Sequence, residues 1–179
     1  MRDAADAERI RRLAQELGRS VPAGTRMYLT GGATAVLEGW RRSTVDVDVR
    51  FEPDSDAALR RLAALKEELS VNVELASPLD FLPPLAGWQD RCRFRFREGN
   101  LEVFDFDPYS QALSKLERGF ELDLKDVDAM VESGLVEPGR LLELFEGVEP
   151  ELYRFPTVDP SGLRSAVESL AEPGDEQLR

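Results

Sequence analysis

Residues 44–51 alternate between apolar and polar side chains, and this alternation constrains the fold more than any other segment. The sequence there is Thr-Val-Asp-Val-Asp-Val-Arg-Phe. Because successive side chains of a β-strand point to opposite faces of the sheet, the three valines share one face, and Asp46 and Asp48 share the other. We therefore expect a sheet that packs on a core through one face and carries two carboxylates on the other.

The segments around this strand predict further strands and helices in alternation. Apolar residues at helical spacing predict a helix over residues 3–18. A second helix is predicted over residues 54–70, with an apolar stripe of Leu59, Leu62, Ala63 and Leu69. Strands are expected at 27–30, 71–75, 92–96 and 101–106, and further helices at 33–38, 109–118, 123–133 and 141–145.

This order of elements predicts an α+β (mixed α/β) protein with one mixed sheet flanked by helices. The two strands on either side of Glu98-Gly99-Asn100 are expected to form a hairpin. We place one domain over residues 1–150 and a C-terminal helical extension with a frayed tail over residues 151–179.

The composition excludes several kinds of catalytic and metal site. The sequence has no histidine and a single cysteine, Cys92, so a Ser-His-Asp triad and a zinc site of His or Cys ligands are both excluded. A metal would need oxygen ligands, which favours Mg²⁺ or Mn²⁺. The lone cysteine, the lack of a long apolar run and a charged start over residues 1–6 favour a cytoplasmic protein with no membrane segment and no signal peptide.

The charge distribution has two opposing implications for nucleic-acid binding. The net charge of −12 repels phosphates and disfavours indiscriminate binding to nucleic acid. Arginines nevertheless cluster at positions 41 and 42 and at positions 91, 93, 95 and 97. A solvated surface is the commoner explanation of such a cluster, and a local basic groove is the alternative.

Several residues outside the Asp46–Asp48 strand have the chemistry that a metal–nucleotide site needs. Two carboxylates at i and i+2 on a strand can converge on one cation, although a merely solvated sheet face has the same pattern. Gly31-Gly32 lies where a strand ends and a helix begins, a place where backbone N–H groups bind phosphate. Asp105 and Asp107 offer a third carboxylate, and Lys115 follows on the next helix.

These motifs, in this order, resemble a known superfamily. Gly31-Gly32-Ala33-Thr34 followed by residues 42–48 (Arg-Ser-Thr-Val-Asp-Val-Asp) is similar to the Gly-Gly/Ser…Arg-x-Thr-x-Asp-x-Asp signature of DNA-polymerase-β-type nucleotidyltransferases. Residues 107–119 (Asp-Pro-Tyr-Ser-Gln-Ala-Leu-Ser-Lys-Leu-Glu-Arg-Gly) and 123–127 (Asp-Leu-Lys-Asp-Val) look like a bacterial branch related to the abortive-infection toxins of toxin–antitoxin pairs. The resemblance covers residues 8–150.

The resemblance implies an enzyme that transfers a nucleoside monophosphate from an NTP to an acceptor hydroxyl and releases pyrophosphate. Asp46 and Asp48 would bind Mg²⁺ or Mn²⁺. Asp107 or Asp105 would supply a third carboxylate as metal ligand or base, and the family's Asp-Pro-Tyr favours Asp107. Lys115 would neutralise charge on the triphosphate.

Further positions follow from the same resemblance. Gly31 and Gly32 would hold phosphates through their backbone N–H groups. Gly32 stands where the superfamily often has a serine that contacts phosphate, and Thr34 or Thr30 would replace that hydroxyl. Arg42 would either contact the nucleotide or pair with an aspartate. Asp123 and Asp126 match an element that caps or positions the lysine helix, and an N-cap with its first-turn acid is the preferred interpretation.

Several functions remain compatible with the sequence. The acceptor would be RNA such as a tRNA 3′ end, a protein, or a small molecule, and toxin biology would add an antitoxin partner. A catalytically degenerate nucleotide-binding or partner-binding module of the same fold is the alternative from another class. An acidic interaction domain without a nucleotide role is a third.

Overall fold

The fold is taken from a computed structural model that describes residues 4–172. The predicted helix start at residue 3 and the tail beyond residue 172 lie outside the described residues. The contacts divide the chain into two compact units, of which the first comprises the residues up to Ser77 together with Cys92–Phe106, and the second comprises Pro78–Arg91 and the residues from Asp107 onward. The predicted boundary at residue 150 stays a prediction.

The first unit contains the sheet and three helices. Its elements are α1 (Ala7–Gly18), β1 (Thr25–Thr30), α2 (Gly31–Leu37), β2 (Asp46–Glu52), α3 (Asp56–Glu68), β3 (Asn72–Leu75), β4 (Arg93–Glu98) and β5 (Leu101–Asp105). The strand order is β3-β2-β1-β5-β4. The pairs β2–β3 and β1–β5 are parallel, whereas β1–β2 and the predicted hairpin β4–β5 are antiparallel. The predicted mixed α/β class, with one mixed sheet flanked by helices, is confirmed.

The second unit is helical. It contains α4 (Trp88–Arg91), α5 (Pro108–Arg118), α6 (Glu121–Glu132), α7 (Pro138–Val148) and α8 (Pro160–Ala171), with 3₁₀ turns at Pro78–Asp80 and Glu149–Arg154. Helix α5 begins at Pro108, one residue before the predicted range, because the Asp107 carboxylate accepts hydrogen bonds from the backbone N–H groups of Tyr109 and Ser110. In the described part of the chain, every helix is too short or too polar to cross a bilayer.

The two faces of β2 differ as the alternation predicted. Val47, Val49 and Phe51 are at most 4% exposed and pack in the core. We call this side of the sheet the core face and the side with Asp46 and Asp48 the acid face. The prediction was wrong for Val45, which precedes the strand and is 72% exposed. The backbone of the neighbouring Thr44 pairs with Ala5, so this part of the chain does not join the ladder of the sheet.

The apolar stripe of α3 differs from the predicted one. Ala58, Leu62 and Leu65 are buried, whereas Leu59 is 39% exposed and Ala63 is exposed as well. The sequence holds two overlapping stripes at helical spacing that share Leu62, so periodicity alone does not choose between them. Packing against the sheet selects the one that contains Leu65.

Leucine-to-alanine substitutions on α3 test this assignment. Leu65→Ala should lower the free energy of unfolding by about 2–5 kcal/mol, because it leaves a cavity in the core. Leu59→Ala is the matched control and should change it by less than about 0.5 kcal/mol, as expected for a surface position. Urea denaturation measures both. Equal losses for the two variants would contradict the observed orientation of the helix.

Candidate functional site

The acid face of the sheet brings Asp46 and Asp48 beside two polar residues of β3. In the parallel β2–β3 pair, Asp46 lies opposite Asn72 and Asp48 lies opposite Glu74. The Asn72 side-chain amide donates a hydrogen bond to Asp46 Oδ1, and its nitrogen lies 3.4 Å from Glu74 Oε1. Both aspartates are half-buried. The result is a patch of three carboxylates and one amide at one end of the sheet.

Gly31 and Gly32 begin α2 next to this patch. Gly31 has a φ of +60°, and a Cβ there would lie 2.7 Å from Asp48 Oδ2. A Cβ on Gly32 would overlap Thr44 Oγ1 and lie 2.8 Å from Thr44 Cβ. The helix therefore approaches Asp48 and Thr44 more closely than side chains would allow. This packing explains why position 32 lacks the serine that the superfamily often carries.

The contacts of the other residues predicted to bind nucleotide do not point to a nucleotide. Thr34 is 3% exposed, and its hydroxyl lies 3.4 Å from both Leu29 O and Asp105 Oδ1. The Thr30 hydroxyl donates to Ala76 O over 3.4 Å. Arg42 is exposed, and it forms no ion pair with any of residues 4–172. Contact of Thr34 or Arg42 with a nucleotide stays a prediction.

Asp105, one of the two candidates for the third carboxylate, lies on the core face. It is the register partner of Leu29, whose partner on β2 is Val49. Paired residues of neighbouring strands share a face, so the sheet separates Asp105 from Asp46 and Asp48. Asp105 is 1% exposed, and burial raises the pKa of its carboxyl although Arg95 and Arg93 oppose this shift.

A β-bulge in β4 brings two arginines to Asp105. The register shifts between Phe94 and Phe96, which allows Arg93, Arg95 and Phe96 to turn to the same side of the strand. Arg93 Nη2 lies 3.0 Å from Asp105 Oδ2, and Arg95 Nε donates to the same oxygen. Both guanidinium groups also donate to Glu38 Oε1, next to the end of α2.

Asp107, the other candidate, is fully buried within the second unit. Its two oxygens receive a bidentate pair from Arg91, at 2.8 and 2.9 Å, and a 2.7 Å hydrogen bond from the Ser110 hydroxyl. They also cap α5. The prediction that the arginine stripe is a solvated surface is therefore wrong for Arg91, and equally for Arg93 and Arg95. These arginines neutralise buried aspartates, and the bulge that turns Arg95 inward was not visible in the sequence.

Lys115 is also buried in the second unit, contrary to the usual exposure of a helical lysine. Its Nζ donates to Asp126 Oδ2 at 2.7 Å and lies 3.4 Å from Asp123 Oδ1. Arg118 holds Asp123 through two hydrogen bonds of 3.1 and 2.6 Å. The preferred interpretation of Asp123 as an N-cap is wrong, because α6 begins after Phe120. Asp123 and Asp126 instead fix the position of the lysine.

Residues 8–152 match a family described as a nucleotidyltransferase of unknown function (DUF6036). The chain belongs to this family. No curated protein and no solved structure matches it. The matched range contains Gly31, Gly32 and all of β2, together with the helix that carries Lys115, so the resemblance to nucleotidyltransferases inferred from these motifs is confirmed at the level of the family.

The donor set of the acid face fits a hard divalent cation. Among residues 4–172, no group of three Asp, Glu, His or Cys side chains is arranged to hold a metal. Mg²⁺ is commonly bound by only one or two carboxylates, with phosphate and water oxygens completing its octahedron. Asp46 accepts its hydrogen bond from a neutral amide and pairs with no arginine or lysine of the described residues. Asp46 therefore suits Mg²⁺ or Mn²⁺ together with a phosphorylated substrate, and Asp48 shares its face of the strand.

Asn72 and Glu38 were not among the site residues predicted from the sequence. The segment 71–75 (Val-Asn-Val-Glu-Leu) shows the same alternation as β2, which was a usable signal that Asn72 and Glu74 share a face. That β3 would pair with β2, with Asn72 opposite Asp46, required the tertiary structure. Glu38 carries no local signal at all, because its partners lie more than fifty residues away in sequence.

Gly32→Ser tests the packing at the start of α2. The new side chain would collide with Thr44, so we expect a loss of about 1–3 kcal/mol in the free energy of unfolding. Gly147→Ala is the control, because its Cβ would meet nothing within 4 Å, and it should stabilise the protein by roughly 0.5–1 kcal/mol. The denaturation midpoints of both variants are compared with that of the wild type. An unchanged midpoint for Gly32→Ser would show that the site accepts a serine.

The raised pKa of Asp105 predicts a pH dependence of stability. The native state binds this proton more tightly than the unfolded state, in which the pKa of the carboxyl has its ordinary value of 3.8. The contribution of Asp105 to stability should therefore fall as the pH rises from the pKa of the unfolded state through the pKa of the native state. Asp105→Asn removes this titration. Denaturation at several pH values gives the free energy of unfolding of the wild type and of the variant. The wild-type value minus the variant value should decrease as the pH rises. An increase would mean that the arginines affect the pKa of Asp105 more strongly than burial does.

Proposed function

We propose that this family member transfers a nucleoside monophosphate from an NTP to an acceptor hydroxyl, with Asp46 and Asp48 holding Mg²⁺ or Mn²⁺. The observation that carries the proposal is that these two half-buried carboxylates share one face of the sheet, directly beside the glycine start of α2, in a chain of a nucleotidyltransferase family. The bound cation would neutralise the triphosphate and polarise the α-phosphorus.

The residues of this chain would bind and orient the substrate. Asp46 and Asp48 hold the cation, and the N–H groups of Gly31 and Gly32 bind phosphate oxygens. The acceptor oxygen bonds to the α-phosphorus, the bond to the bridging oxygen breaks, and pyrophosphate leaves with that electron pair. The hydroxyl proton passes to a base. Asp107 in that role stays a prediction, and Asp105 would have to act from the opposite face of the sheet. Both carboxylates are held by arginines.

Lys115 as a cation for the triphosphate also stays a prediction. Its ammonium group is 3% exposed and compensated by Asp126 and Asp123. A phosphate would reach it only by replacing one of these carboxylates. The two aspartates hold the lysine in a fixed position.

The acceptor that we favour is a protein or a small molecule. The arginine stripe, which was the sequence argument for RNA, is largely occupied by buried aspartates. The net charge of −12 further disfavours a polyanionic acceptor. RNA such as a tRNA end, and a toxin role with an antitoxin partner, remain proposals that rest on the resemblance alone.

One observation favours a second candidate, a nucleotide-binding module of the same fold without turnover. No third acid joins Asp46 and Asp48 in a metal-binding group within residues 4–172. Such a module would bind NTP and metal but modify nothing. Binding and turnover therefore need separate tests.

Thermal denaturation tests the nucleotide site. Mn²⁺ or Mg²⁺ with an NTP at about 100 times its dissociation constant should add about 2.7 kcal/mol of stability, which corresponds to a rise in Tm of roughly 5–11 °C. The double variant Asp46→Asn, Asp48→Asn should lose this rise, while Asp54→Asn, an exposed acid, should keep it. If none of the four NTPs raises the Tm of the wild type, both nucleotide-based functions are wrong.

Labelling then separates the enzyme from the binding module. The protein is incubated with each α-labelled NTP and with candidate acceptors from RNA, protein and small-molecule fractions. An enzyme transfers label to one fraction, and the Asp46→Asn, Asp48→Asn variant transfers none. Binding without any transfer in all fractions would favour the module.

A further inference from the structure

Asn72 contacts Asp46 on the acid face through a neutral side-chain amide. It stands on β3 directly opposite Asp46, and its Nδ2 donates to Asp46 Oδ1. None of residues 4–172 donates a hydrogen bond to Asp46 Oδ2. The amide therefore engages one oxygen of the carboxylate and leaves the second available.

The neutrality of this donor matters for a carboxylate that must bind a cation. An arginine bonded to Asp46 would cancel its charge, as Arg91 does for Asp107. An amide N–H restricts the rotation of the carboxylate but leaves its full negative charge for the metal. Hydrogen-bonding partners of this kind orient metal ligands, and their loss commonly weakens metal binding by about 10–100-fold.

We propose that Asn72 is the positioning residue of Asp46 and that it tunes the affinity of the acid face for Mg²⁺ or Mn²⁺. This inference rests on the proposed function, because it assumes that Asp46 is a metal ligand. Asn72 need not touch the metal or the nucleotide itself. Its contribution comes from fixing Asp46 Oδ1 before the cation arrives.

Glu74 offers a competing explanation of the same contact. Its Oε1 lies 3.4 Å from Asn72 Nδ2, and its Cα is paired with that of Asp48. Asn72 would then serve to hold Glu74 as a third ligand. The shorter contact of Asn72 is with Asp46, and Glu74 is exposed, so we assign the positioning role to Asp46.

Binding of Mn²⁺ alone to the full chain tests the inference without any turnover. Free Mn²⁺ is counted by its electron paramagnetic resonance signal during titration of the wild type, Asn72→Val, Glu74→Gln and the double variant Asp46→Asn, Asp48→Asn. Valine keeps the strand preference and lacks the donor. We expect Asn72→Val to raise the Kd for Mn²⁺ by about 10–100-fold, and Glu74→Gln to leave it close to the wild-type value.

Each outcome has a separate meaning. If the wild type and the double variant bind Mn²⁺ equally, Asp46 and Asp48 do not hold the cation without nucleotide and the inference is overturned, while the proposed function is still decided by the NTP-dependent rise in Tm. If the wild type binds through Asp46 and Asp48 but Asn72→Val keeps its Kd, Asn72 only supports the strand and the inference is overturned. A loss for Glu74→Gln as large as that for Asn72→Val would also overturn it, in favour of Glu74 as a ligand. Tm values without metal show whether each variant is folded.

Discussion

A β-sheet keeps the side chains of its two faces apart, and every assignment in the first unit depends on that separation. The alternation in β2 places valines in the core and carboxylates outside it. The register of β5 then puts Asp105 on the core face, although its sequence spacing resembles that of Asp46 and Asp48. A shift of one residue in the register of β2 would move its carboxylates to the core face, and the same shift in β5 would move Asp105 to the acid face.

The partners of the aspartates distinguish structural acids from candidate ligands. Burying a carboxylate without compensation costs several kcal/mol or more, so buried acids are paired. Asp105, Asp107 and Asp123 all receive guanidinium groups. Asp46 instead receives an amide at a half-buried position, where water or a cation can complete its solvation. This difference supports the proposal that the acid face, and not the buried acids, holds the metal.

Much of the fold could be predicted from local patterns, because strand alternation, helix caps and glycine stops act over a few residues. The strand at Asp46, the hairpin at Gly99 and the start of α5 just after Asp107 are examples. The orientation of α3 could not be predicted, since two stripes through Leu62 fit the same helix. Neither could the division into two units, nor the contacts of Asn72, because pairing and register between distant segments are set by tertiary packing.

The bulge in β4 also affects the edge of the sheet. In the described sheet β4 is an edge strand, and edge strands expose unpaired backbone groups that can recruit another chain. Inward-pointing charges and bulges are two devices that prevent such pairing. Arg93, Arg95 and the bulge between Phe94 and Phe96 supply both at once. The arrangement that compensates Asp105 inside the protein thus also protects the edge of its sheet against aggregation.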